Sequence, residues 1–149
     1  MTEFAHTNII TGDWKKLADF YIKVFDCKPL YPERDLSGDA IDQATGIGNA
    51  HFTGIHLILP GHFEKAPTLE IFQYDHNEDN LPAAANRKGF GHIAFRVDDV
   101  NEMLQKVLNN GGAQLGEVVN LDIKDAGRIT FVYAKDIDGN IGEWQHWHK

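Results

Sequence analysis

The most restrictive feature of the chain is an order of elements that occurs twice. A short apolar stretch, FAHTNIIT, reads as a strand and is followed at Gly12-Asp13 by a helix-period stretch. Trp14, Leu17, Ala18, Tyr21, Val24 and Phe25 recur on one face, while Lys15, Lys16, Asp19 and Lys23 take the other. Asp13 is the expected N-cap, and Pro29 requires the helix to stop near Asp26-Cys27. Strands are then expected over Leu30 to Ser37, HFTGIHLILP and TLEIFQY, with residues 38–50 as a loop and Gly61 to Pro67 as a connection. The same order returns further along. GFGHIAFRV reads as a strand, and Val100, Met103, Leu104, Val107 and Leu108 mark a helix that ends at Gly111-Gly112. LGEVVNLDI, GRITFVYAKD and NIGEWQHW follow as strands, the last two joined by the tight turn DIDGN. Both halves are βαβββ. The expected organisation is a module over 1–75, a polar linker over 76–88 and a second module over 89–149, all within one α+β domain.

Four strand stretches each carry a titratable residue: His6, Glu70, His92 and Glu143. Burying such a group without a partner is costly. Two imidazoles and two carboxylates make a ligand set for a divalent metal. Each half offers one histidine on its first strand and one glutamate on its last. In an eight-stranded arrangement with approximate two-fold symmetry, these four strands can lie centrally and aim all four side chains into one cleft. The two-residue strand period defines the face neighbours. Phe4 and Asn8 flank His6, Phe72 and Tyr74 share the face of Glu70, Phe90 and Ala94 flank His92, and Ile141, Gln145 and Trp147 share the face of Glu143. Phe4, Asn8, Phe72, Tyr74 and Trp147 are the expected substrate-lining residues of a largely apolar cleft.

Other histidines are assigned elsewhere. His51, His56, His62 and His76 are expected at the surface or as satisfied core residues, and His146 and His148 fall on the opposite strand face from Glu143. Trp14 and Tyr21 are assigned to helix–sheet packing and Cys27 to the core. The 14 basic residues form no stripe and are outnumbered by 22 acidic ones, for a formal charge of −8, so nucleic acid is not an expected partner. A single cysteine rules out a disulfide within the chain and fits a reducing cytoplasm. No signal peptide is expected, and no apolar run approaches the roughly 18 residues of a membrane helix.

These stretches resemble the vicinal oxygen chelate superfamily, and within it glyoxalase I. HTNII together with LADFYIKVFDCKP resembles the first strand and helix, including the FY pair. GFGHIAFRVDDV resembles the strand of the second metal histidine, and FVYAKDIDGNIGEW resembles the closing hairpin, with Glu143 four residues after Gly139. The resemblance spans essentially the whole chain. It implies two βαβββ modules forming a strongly curved, metal-centred eight-stranded sheet, and a metal held by His6, Glu70, His92 and Glu143. Departures fall away from those four. Ile10 stands where bacterial glyoxalase I has an arginine that helps hold the glutathione carboxylate, a family asparagine is replaced near Tyr74, and Ile137 replaces the turn proline. The first two speak against glutathione recognition. Methylmalonyl-CoA epimerase typically carries Gln where Glu70 stands here, which favours the glyoxalase type of centre.

The resemblance implies a metal-dependent lyase or isomerase that removes a proton next to a metal-bound carbonyl, with Glu143 as the base and Glu70 as the second candidate. Nickel, zinc, manganese or iron suits such ligands. A small-molecule substrate, with a thiol adduct among the options, and a homodimer are implied as well. The alternatives are another metalloenzyme of the superfamily (an acyl-CoA epimerase, an extradiol dioxygenase or a thiol transferase) or a drug-sequestering binding protein. The dioxygenases and thiol transferases use two His and one Glu, and the drug-binding members lack the ligand set, so Glu70 and the intact quartet weigh against those classes.

Overall fold

The structure, a computed structural model, describes residues 1–62 and 64–149; Phe63, within the expected connection, lies outside the described residues. The chain forms two compact units, Met1–Asp79 and Asn80–Lys149, and residues 75–92 carry no helix or strand. The fold is α+β, as expected from the alternation of strand and helix patterns.

In the first unit, β1 (His6–Ile10) leads to α1 (Trp14–Phe25). Asp13 is the N-cap, its Oδ1 accepting from the Lys16 N–H at 3.1 Å, and Asp26 ends the helix in the left-handed region at φ 58°. Then come β2 (Lys28–Ser37), α2 (Asp39–Thr45), β3 (His51–Ile58) and β4 (Thr68–Tyr74). The sheet order is β1-β4-β3-β2, with β1 parallel to β4 and the other pairs antiparallel. Leu57, Leu69 and Ile71 are fully buried on one sheet face, and α1 packs there with Leu17, Tyr21 and Val24. Burying that apolar face supplies the main driving force. The opposite face carries the polar residues discussed below.

Two expectations for this unit are corrected. The strand expected from Leu30 begins at Lys28. Pro32 is tolerated because β2 lies at the sheet edge, where a missing N–H costs least, and the pairing with β3 shifts register between Leu30 and Arg34. The stretch 38–50, expected to be a loop, contains the short helix α2. No residue of α2 is buried, so it has no apolar stripe to betray it. It is tied locally instead: the Asp42 carboxylate accepts from the Asn49 and Ala50 N–H groups at 2.9 and 2.8 Å.

The second unit repeats the plan. β5 (Ile93–Arg96) is followed by α3 (Val100–Asn109), which Asp99 caps by accepting from the Glu102 N–H at 3.0 Å. Two segments, β6 (Ala113–Gln114) and β7 (Val119–Ile123), both pair with β8 (Gly127–Lys135), so LGEVVNLDI is a strand only in its second half. β8 pairs antiparallel with β9 (Ile141–Trp147), which runs parallel to β5. Strands hydrogen-bond in two sheets, one per unit, and the two-residue β6, which lies outside every expected strand, makes them nine rather than eight among the described residues. Val100, Leu104 and Val107 of α3 pack toward β8 and β9, where Val132, Ala134 and Trp144 are fully buried. The Asp136 carboxylate organises the DIDGN turn, its Oδ1 accepting from the N–H groups of Asp138 and Asn140. Among the described residues no helix is long and apolar enough to cross a membrane.

Candidate metal centre

Parallel pairing of β1 with β4 sets Asn8 opposite Glu70. His6, two residues earlier, shares that face. The result is His6 Nε2 at 3.6 Å from Glu70 Oε1, while the Asn8 side-chain amide donates to the same oxygen at 2.9 Å. Antiparallel pairing of β4 with β3 sets His56 directly opposite Glu70. Its Nε2 lies 2.7 Å from Glu70 Oε2, and its Nδ1 lies 2.9 Å from the Thr68 hydroxyl. His6, His56 and Glu70 each offer a ligand atom, all within 4.8 Å of one another. The Glu70 side chain is only 13% exposed, so the carboxylate is held in a partly desolvated position. Phe72 continues the same face, stacked on Phe52 with ring centroids 4.4 Å apart and set edge-on to His56, and Tyr74 lies against Phe52.

The second unit reproduces the histidine–glutamate relation in the same register. Ala94 is opposite Glu143, and His92 is again two residues earlier, just ahead of β5 rather than within it. His92 Nε2 lies 3.0 Å from Glu143 Oε2. Gln145 donates to Glu143 Oε1 at 3.3 Å, and the Trp147 indole donates to Gln145 Oε1 at 2.5 Å. The residue facing Glu143 from the neighbouring antiparallel strand is Tyr133, whose ring sits 5.0 Å from that of His92. Tyr133 thus occupies the place that His56 takes in the first unit.

The donor set fits a divalent cation. Bonds of about 2.0–2.2 Å from one ion to an imidazole nitrogen and a carboxylate oxygen put the two donors about 3.0–3.5 Å apart. The two histidine–glutamate separations bracket that range at 3.0 and 3.6 Å. Burial pushes the His56 pKa down; Glu70 pulls the other way, and Arg34 and His6 add to the lowering. His56 is therefore neutral near pH 7.

Each unit brings together its own expected pair, His6 with Glu70 and His92 with Glu143. Of the lining residues, Asn8 and Phe72 lie directly against the first cluster, Tyr74 extends its apolar wall, and Trp147 closes the hydrogen-bond chain from Glu143. Phe4 precedes β1 and is exposed. His56, expected at the surface or as a satisfied core residue, is largely buried with both ring nitrogens partnered, and its partner Glu70 brings it into the cluster. Its position inside an apolar strand stretch, the same signal that singles out His6 and Glu70, could have found it. His51 lies between two carboxylates, with Nε2 2.6 Å from Asp35 and Nδ1 2.9 Å from Asp75. These hydrogen bonds, Asp35 first and then Asp75, push its pKa up. His146 and His148 turn instead to the Val97 carbonyl and the Thr130 hydroxyl.

A model of the glyoxalase/bleomycin resistance protein/dioxygenase superfamily matches residues 5–131. No curated protein matches in sequence. Similar solved structures include a glyoxalase family protein from Bacillus cereus, with a TM-score of 0.84 at 16% identity over 100% of this chain and 96% of that one. The genomically encoded fosfomycin resistance protein FosX from Listeria monocytogenes, complexed with Mn(II) and sulfate, gives 0.55 at 17% identity over 99% and 94%. A glyoxalase I mutant from Zea mays gives 0.66 at 22% identity, covering 95% of this chain and 43% of its own. At such identities the structural likeness establishes the fold alone.

Proposed function

Since the chain belongs to the glyoxalase/bleomycin resistance protein/dioxygenase superfamily, we propose that it is a metal-dependent lyase or isomerase of the glyoxalase I kind. His6, Glu70, His92 and Glu143 would hold one divalent ion, a pair from each module. The observation that carries this reading is the repeated register, in which a histidine stands two residues before the position opposite a glutamate in both sheets. Superfamily members with this type of fold include metalloenzymes, and the Listeria protein holds Mn(II); nickel, zinc, manganese and iron are the candidate ions here.

When bound, the metal polarises a substrate carbonyl and stabilises the negative charge that develops beside it. The side chains of this protein do the rest. Glu143 is the base that takes the neighbouring proton, and Glu70 is the second carboxylate able to do so. Asn8, Phe72 and Tyr74 in one module and Trp147 in the other line the substrate, and Phe4 is assigned to the same lining. The rings of Phe52, Phe72 and Tyr74 pack together along the strand face that carries Glu70. The substrate is a small molecule, and the active form is a homodimer. Ile10, 45% exposed on β1, offers no charge to a glutathione carboxylate.

Metal analysis of the purified protein tests the centre. The wild type is expected to carry about one divalent ion per chain, and His6→Ala and Glu143→Gln much less. Equal, near-zero metal in all three would overturn the reading. Turnover of the methylglyoxal–glutathione hemithioacetal is expected to be weak or absent because of Ile10.

A further inference from the structure

The two oxygens of Glu70 have different partners. Oε1 faces His6 and takes the Asn8 amide; Oε2 faces His56 at 2.7 Å. Two lone pairs at that separation would repel, so a hydrogen must lie between them, and His56 Nε2–H donates to Oε2. A neutral imidazole has one N–H, so Nδ1 accepts, and the Thr68 hydroxyl at 2.9 Å donates to it. Thr68 is 8% exposed, and the His56 side chain 15%. Glu70 is thereby tied through a short relay anchored in its own strand.

Glu143 lacks that tie. Its opposite residue is Tyr133, and among the described residues its side-chain partners are His92 and a single amide contact from Gln145 at 3.3 Å. The modules match in register but not in how firmly they hold their carboxylates.

We propose that His56, set by Thr68, is a positioning residue that would fix the Glu70 carboxylate as a metal ligand, a tie that Glu143 lacks. This rests on the metal reading above. It divides the two catalytic candidates by their anchoring, and it adds two residues, His56 and Thr68, to the working site.

Titrating the metal-free protein with Co(II) tests it. His56→Ala should bind about 10–100-fold more weakly than wild type, the usual cost of losing a group that orients a ligand. Thr68→Val should weaken binding in the same direction and by less. His56→Gln, whose amide can still donate to Oε2, should recover most of the affinity, and it carries the test if the alanine variant does not fold. Pulsed EPR of the Cu(II)-loaded protein should count the same number of coordinated imidazoles in His56→Ala as in wild type. Unchanged Co(II) affinity in His56→Ala and Thr68→Val, or the loss of one coordinated imidazole in His56→Ala, overturns the positioning role. His6→Ala and Glu143→Gln in the same titration separate the two failures. If they too bind as wild type does, the metal reading falls; if they alone lose affinity, only the role of His56 falls.

Discussion

Gly54→Ala addresses the pairing on which the first half-site depends. Gly54 sits in β3 opposite Phe72, one same-face step from the His56–Glu70 pair. A Cβ at this position would stand 2.0 Å from the Ile71 carbonyl oxygen and 2.6 Å from Phe72 Cδ1. Such contacts essentially never fall below 3.0 Å, so β3 and β4 must separate by about 1 Å at this point. The first obstacle is backbone, and the second is a ring stacked on Phe52, so neither turns aside cheaply. Overpacking of this kind costs about 1–3 kcal/mol, and alanine returns about 0.4–1 kcal/mol by restricting the unfolded chain. The net loss is about 1–2 kcal/mol, or roughly 2–8 °C of Tm for a chain of this length. A 1 Å separation would also carry the 2.7 Å contact between His56 and Glu70 beyond hydrogen-bond range, so Co(II) affinity should fall with stability. Gly12→Ala is the control, because nothing lies within 4 Å of its Cβ position and its φ is not left-handed. Thermal unfolding of the two variants beside wild type decides the matter. If Gly54→Ala melts with Gly12→Ala and keeps its metal affinity, the steric reasoning is wrong.

Two further outcomes follow from buried and paired groups. Burial, with the Asp26 charge adding to it, pushes the Cys27 thiol up to about 12, so the native protein should resist iodoacetamide at about pH 8 and label quickly only in denaturant; equal rates in the two conditions would contradict its core placement. The raised pKa of His51 means that its pairing with Asp35 and Asp75 stabilises the fold fully below the ordinary value of 6.5 and ceases to do so as pH rises through the higher folded value. The stability difference between wild type and His51→Gln should therefore be larger at about pH 6 than at about pH 9, and denaturant titrations at both pH values that gave the same difference would refute the pairing.

Much of this protein is legible along the chain, because the signals are local. Asp13 and Asp99 cap the two long helices from positions adjacent to a 3.6-residue apolar pattern; the first helix buries the face that the pattern marks, and the second buries Val100, Leu104 and Val107 of its face but leaves Leu108 exposed. His6, Glu70, His92 and Glu143 stand out because a titratable group in an apolar strand needs a reason to be there. The helix over Asp39–Thr45 leaves no periodic mark in the sequence because none of its residues is buried. His56 is the more telling case. It carries the same strand signal as His6, but a strand does not record which strand will lie beside it. Only the register sets a second histidine, His56, opposite Glu70 and a tyrosine, Tyr133, opposite Glu143. The sequence by itself determined a strand, a long helix and further strands in each half, the caps of the two long helices and the four residues that stand out as candidate ligands, since each rests on neighbours a few residues away. The tertiary structure alone decided which oxygen of Glu70 meets which histidine, because strand pairing joins residues 14 positions apart in one case and 62 in another, and the two-residue period of a strand fixes a face without fixing a partner.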